Sequence, residues 1–214
     1  MRASGFHDFA MPISQHTHPN AASRLAPASD TPVVEARFPL PCLERLRRAL
    51  DAALDRPPHA RGAGLRDALR DFADPAELAP LIAGCGPACS SGYRREILLA
   101  DPKGRYCAVA LIWGPAQFSP IHGHHTWCAY RVLSGALHES RFEWQEAGQH
   151  AQWRTDEARL PGAVSYTDAG FEGIHRLGNP HPTTAVSLHV YGVDAPDVAT
   201  RVNRLVDAVG RPRA

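Results

Sequence analysis

The chain has 214 residues, enough for one well-buried domain with a small helical prelude, and is 44% hydrophobic with a formal charge of +1. So near-neutral a balance argues against nucleic-acid or anionic-membrane partners, and no apolar run approaches the roughly 18–20 residues that span a bilayer. The five cysteines (42, 85, 89, 107 and 128) lack disulfide-framework spacing and the N-terminus lacks the apolar region of a secretory signal, which together favour a cytoplasmic protein with reduced thiols.

Residues 1–32 are rich in Pro, Ser, Ala and His, carry little apolar periodicity, and read as a mobile tail. The His16-Thr17-His18 pair within it reads as an adventitious metal contact at most. Residues 33–90 read as a helical segment packed on the β-rich remainder of the chain. Leu43, Leu46, Leu50, Ala53 and Leu54 recur at helical spacing, with Arg and Asp on the opposite face. Pro57-Pro58 and Gly62-Ala63-Gly64 are expected to break the run, with a second helix over Leu65–Phe72. Asp74-Pro75 opens a third helix through Leu81. Cys85 and Cys89 read as small thiols rather than a metal or redox pair.

After Gly92 the period changes to two. Tyr93–Leu99, Arg105–Trp113, Trp127–Leu133, Ala136–Trp144, His150–Trp153, Gly162–Tyr166, Gly173–Leu177 and Thr184–Tyr191 are short runs rich in β-branched or aromatic residues, separated by Gly, Pro or Asp. Asp101-Pro102-Lys103-Gly104 and Ser134-Gly135 read as hairpin turns. The fold class expected is mainly β, an antiparallel barrel or sandwich over residues 91–208.

His122-Gly123-His124 lies within this β-rich stretch, and His175 comes later in the chain. Residues i and i+2 of a strand share a face, so the first two imidazoles can converge on one ion. Three neutral nitrogen ligands with open positions make a catalytic metal site, whereas structural sites close all four. His125 must point away from the pair. Ser187, His189 and Tyr191 alternate on a second strand and can form a hydrogen-bonded chain. Tyr93 and Arg95 share a face by the same parity, with Arg94 on the other face and a rival if the register differs.

The segment His122-x-His124-x-x-x-Cys128, with Gly135 beyond it, has the spacing of the first cupin motif, with cysteine in place of a common metal-binding glutamate. His175-x-x-x-Asn179 matches part of the second motif, without its usual Pro-x-Gly. The chain resembles the thiol dioxygenases, the cysteine dioxygenase family of cupins, over about residues 40–208. Four blocks carry the likeness: Tyr93-Arg94-Arg95, Ser119 through His124, Gly173-Ile174-His175-Arg176, and Ala185 through Tyr191. The resemblance implies a cupin barrel in which His122, His124 and His175 bind Fe(II). It implies that Ser187, His189 and Tyr191 form a catalytic array and that Arg95, beside Tyr93, grips a substrate carboxylate. A guanidinium offers the planar fork that a carboxylate needs. The reaction implied adds O2 to a small thiol, giving a sulfinic acid.

Cys128 matches a cysteine that in some family members forms a thioether cross-link to the tyrosine, here Tyr191. Two departures bear on substrate. Gly123 stands where aspartate is common, and Gly192-Val193 comes after Tyr191 where cysteine-specific relatives often carry Ser-Pro. That ending is similar to the branch acting on mercapto-acids, yet Arg95 stands where that branch usually has glutamine. L-cysteine, 3-mercaptopropionate and mercaptosuccinate therefore stay open, with L-cysteine first. Two readings from other classes are a non-catalytic metal-binding cupin that senses a small ligand, and a zinc or nickel cupin performing isomerisation or hydrolysis. The Ser187-His189-Tyr191 array counts against the first, and Cys128 in the glutamate position against the second.

Overall fold

The structure, a computed structural model, describes residues 41–212; the expected tail over 1–32 lies outside them. Helix α1 (Pro41–Leu54) buries Cys42, Leu43, Leu46, Leu50 and Ala53, the stripe its spacing dictates. Helix α3 (Pro75–Gly84) starts at a capping box: the Asp74 side chain accepts from the Glu77 N–H while Glu77 reaches back to the Asp74 N–H.

Helix α2 spans Pro58–Asp71, so the expected break at Gly62-Ala63-Gly64 is wrong. A proline suits the first turn of a helix, where its missing N–H costs nothing. The glycines serve close packing instead: a Cβ at Gly62 would lie 2.6 Å from a ring carbon of Tyr166.

Twelve strands complete the described chain: β1 (Arg94–Ala100), β2 (Cys107–Trp113), β3 (Gln117–Phe118), β4 (His122–His124), β5 (Cys128–Ser134), β6 (Leu137–Gln145), β7 (His150–Arg159), β8 (Val164–Thr167), β9 (Gly170–Asn179), β10 (Ala185–Tyr191), β11 (Asn203–Leu205) and β12 (Ala208–Val209). Sheet I has the order β1-β2-β10-β5-β8. Sheet II has the order β11-β4-β9-β6-β7-β12, with β3 also on β9. All pairs are antiparallel except β12 with β7. The mainly β, antiparallel sandwich with helices before it is thus what these residues build.

Asp101–Gly104 makes the expected β1–β2 hairpin, its Gly104 N–H donating to the Asp101 carbonyl at 2.9 Å. Ser134-Gly135 does not make a hairpin: it carries the chain from β5 in sheet I to β6 in sheet II. The reason is that β5 already has β10 on one edge and β8 on the other, leaving no edge for β6.

Sheet I is covered on both faces, which is why every residue of β2 and β10 is buried. Ala108, Ala110, Ile112, Leu188 and Val190 pack with Leu46, Leu50, Leu65 and Leu69 of the helices. Cys107, Val109, Leu111, Trp113, Cys128 and Tyr191 face the other way, toward sheet II, with Leu137 and Leu177. The two-residue period therefore splits each strand between a helix-facing and a sheet-facing core. Among the described residues no helix is long and apolar enough to cross a membrane.

Candidate metal centre

The sequence pairs its histidines by register. His122 of β4 lies directly opposite His175 of β9, and His124 stands two residues along from His122. Directly opposed antiparallel residues share a face, so all three imidazoles point into the space between the sheets. Their ring centroids are 4.8–5.1 Å apart, and one nitrogen from each lies within 4.8 Å of the others. All three are buried. Burial, reinforced by the neighbouring imidazoles, lowers the His122 pKa to about 3 and that of His124 to about 2, so both are neutral near pH 7.

Hydrogen bonds fix two of the rings. His122 Nδ1 donates to the Pro120 carbonyl at 2.9 Å, and His175 Nδ1 donates to Glu139 Oε1 at 2.7 Å. For His122, which is neutral, this leaves Nε2 as the unprotonated nitrogen. His124 Nδ1 is buried with no hydrogen-bond partner. A set of three imidazole nitrogens fits a divalent transition metal, and coordination would offset the desolvation of such groups.

Glu139 is 2% exposed and stands on β6 opposite Leu177, diagonal to His175. Burial alone would raise its carboxyl, but the His175 hydrogen bond, with Arg141 and Arg159 beyond it, brings the pKa down to about 2. Arg141 donates to its second oxygen at 3.0 Å. This is a carboxylate–histidine arrangement of the kind that orients a metal ligand and raises its basicity. Sequence reasoning missed it, although the period of two places Glu139 on the same inward face as Leu137. That buried parity was the available signal.

Across the cavity, Ser187, His189 and Tyr191 form one hydrogen-bonded chain. Ser187 Oγ is 2.9 Å from His189 Nε2, and His189 Nδ1 is 3.2 Å from the Tyr191 hydroxyl. Trp113 Nε1–H donates to Ser187 Oγ at 2.9 Å. An indole N–H can only donate, and among the described residues the buried Ser187 proton has no acceptor other than His189 Nε2. His189 is neutral, its pKa held well below the usual value by burial. Its remaining proton therefore sits on Nδ1 and is donated to Tyr191, whose own O–H is left free. The direction of the whole chain is set by Trp113.

The space between these groups is a cavity of about 10 Å³, the room of one water or ion. Tyr93, Leu111, Trp113, Leu177 and Asn203 line it with the three histidines, His189, Tyr191 and Cys128. Arg95 is half-buried next to it: its guanidinium donates to the Tyr93 hydroxyl at 2.9 Å and lies 5.0 Å from that ring's centroid. Burial lowers the His122 and His189 pKa values, with a smaller push the same way from the Arg95 charge, whereas burial raises that of Tyr191 and Arg95 only opposes it in part. Arg94 is engaged on the opposite side with Glu96 at 2.6 Å.

The family model for cysteine dioxygenase type I matches residues 90–201, which contain the three histidines and the chain from Trp113 to Tyr191. The chain belongs to that family. Cysteine dioxygenase type 1 from Rattus norvegicus is 32% identical over 103 residues, covering 46% of this chain and 51% of the rat protein. The Homo sapiens protein matches to the same extent, and that of Danio rerio is 30% identical over 103 residues. The chain thus spans about half the length of the curated relatives it matches. Solved structures that match include TT1209 from Thermus thermophilus (16% identity, TM-score 0.42, covering 52% of this chain and 93% of that one). A cupin 2 conserved barrel protein from Salinispora arenicola is 20% identical with TM-score 0.37, covering 50% of this chain and 79% of that one.

Against the cysteine dioxygenase pattern, Gly123 has a local explanation: a Cβ there would lie 2.5 Å from the Gly170 carbonyl, so no aspartate fits between the histidines without moving β9. Cys128 is the direct cross-strand partner of Tyr191, and Cys107 faces Tyr191 from the other neighbouring strand. Burial raises the Cys128 thiol pKa far above its ordinary value. His125 is exposed on the outer side. Asn179, part of the second motif, donates to the carbonyls of Trp113 (3.0 Å) and Thr183 (2.7 Å), pinning the β9–β10 connection.

Proposed function

We propose that the protein is an iron-dependent thiol dioxygenase that adds both atoms of O2 to a small carboxylate-bearing thiol, RSH + O2 giving RSO2H, with L-cysteine the first-choice substrate. 3-Mercaptopropionate and mercaptosuccinate are the alternatives. Membership of the cysteine dioxygenase type I family supports the reaction class. The observation that carries the reading is that the three-histidine cluster and the directed chain from Trp113 to Tyr191 end at one cavity. The dioxygenase activity, the metal and a cytoplasmic setting are all part of the proposal.

His122, His124 and His175 would hold the iron. The ion would supply the change of oxidation state that O2 requires and zinc lacks, and would favour the thiolate form of the substrate. Because all three ligands are neutral, its full charge is left for anionic partners. Arg95 would bind the carboxylate as a planar fork and so hold the sulfur end in place. Tyr191, as the terminal donor of the chain, would give its hydrogen bond to the reacting sulfur and oxygen atoms. Leu111, Leu177 and Trp113 would keep water out.

The test is an oxygen-electrode screen of Fe(II)-loaded protein with L-cysteine, 3-mercaptopropionate and mercaptosuccinate. The expected result is thiol-dependent uptake of O2 with equimolar sulfinic acid. Tight metal binding without thiol-dependent uptake would leave a ligand-binding cupin instead. Cys128 and Tyr191 are expected to join as a thioether with loss of two hydrogens, O2 being the oxidant. Peptide mass spectrometry reads this directly, and two unmodified peptides after turnover would end the cross-link idea.

A further inference from the structure

One polar side chain on the cavity wall is used neither by the metal cluster nor by the Tyr191 chain: Asn203. It stands on β11 directly opposite His124, so the two side chains share a face of sheet II. The next residue confirms the parity, since Arg204 turns to the other face and lies 3.9 Å from the Phe171 ring centroid. Among the described residues the Asn203 amide has no hydrogen-bond partner.

The rest of the lining leaves little for a ligand's polar groups. Ser119 Oγ is spent, donating to the Pro120 carbonyl at 3.0 Å and accepting from the Leu177 N–H at 3.1 Å. His189 is spent on Ser187 and Tyr191. Leu111, Trp113 and Leu177 present apolar surface. A half-buried amide with two donors and an acceptor, beside the histidine cluster, is therefore a point of polar recognition additional to Arg95.

We propose that Asn203 determines specificity by hydrogen-bonding a second polar substituent of the thiol acid, so that the site prefers thiols bearing one over a thiol acid with a plain methylene chain. The inference rests on the thiol dioxygenase reading and narrows its substrate class. Arg95 would take the carboxylate common to all candidates, and Asn203 would read what differs among them. Its amide can accept from an amino group or donate to a further carboxylate, and neither partner exists in 3-mercaptopropionate.

The experiment measures kcat/KM for L-cysteine, mercaptosuccinate and 3-mercaptopropionate in the iron-loaded protein, in Asn203→Leu and in Asn203→Ala. Kd values for the same thiols are taken anaerobically, by calorimetry on each metal-loaded protein. For the unaltered protein, at least one of the two substituted thiols should exceed 3-mercaptopropionate in kcat/KM and in affinity. Both variants should lower that ratio roughly 5- to 10-fold, the effect of one hydrogen bond, with metal content unchanged. Whichever thiol loses its advantage identifies the substituent as amine or carboxylate. Equal losses for all three thiols, or an unchanged ratio in both variants, would overturn the role of Asn203. If no thiol is oxidised by the unaltered protein, the dioxygenase reading fails, and the Kd ratios still decide whether Asn203 selects among ligands.

Discussion

Behind His175, sheet II places a buried carboxylate with two arginines; behind Tyr191, sheet I places an imidazole, a hydroxyl and an indole, all neutral. The two walls meet at the same cavity, so the difference reflects what each must do. A metal ligand gains from an anion behind it, because negative charge makes its nitrogen a stronger donor. A proton donor aimed into the cavity needs direction more than charge, and a chain of neutral groups supplies direction without repelling or neutralising the ion. Buried charge is tolerated on one wall because it is paired, and avoided on the other.

The largest effect expected from breaking this contrast is in Glu139→Gln. The amide can still accept from His175 Nδ1 but carries no charge, so iron affinity should fall about 10- to 100-fold, read by competition with a chelator. Unchanged affinity would mean that the carboxylate only orients the ring. On the opposite wall, Trp113→Phe keeps the packing and removes the one obligate donor. Ser187 and His189 can then reverse, taking the Tyr191 proton, and kcat should drop by roughly fivefold with metal content and KM unchanged. A variant with normal kcat would show that the indole does not set the direction.

The smallest effect belongs to a control outside both walls. Asp101 accepts from Arg105, and Arg105 also pairs with Asp51 of α1. The Arg105 hydrogen bond, partly opposed by burial, lowers the Asp101 pKa to about 2. Because the folded value lies below the unfolded value of about 3.9, the tie contributes fully above that pH and is lost as pH falls through about 2. Asp101→Asn should therefore cost about 1 kcal/mol at pH 7, less near pH 2, and leave metal affinity unchanged. Urea unfolding at several pH values measures it.

What could be read from the sequence was the part that strand parity alone determines. His122 with His124, Ser187 with His189 and Tyr191, and Tyr93 with Arg95 each fall on one face because side chains alternate, wherever the strand sits. Glu139 and Asn203 escaped because their place depends on which strands become neighbours: β6 against β9, and β11 against β4. Ser134-Gly135 misled for the same reason, since a tight turn does not say whether the next strand joins the same sheet. The Gly62-Ala63-Gly64 run was read through backbone propensity, whereas the Tyr166 ring packed over Gly62 decided it.

β11 is three residues long and lies at the end of its sheet, yet it is the strand that covers β4. Without it, the segment bearing two of the imidazoles would be an open edge, with unpaired amides and carbonyls available to any other extended chain. The nascent polypeptide must therefore be synthesised past Leu205 before this flank is protected. A chain cut short ahead of Asn203 should then self-associate through the bared edge rather than merely lose a wall residue, a difference that light scattering would detect.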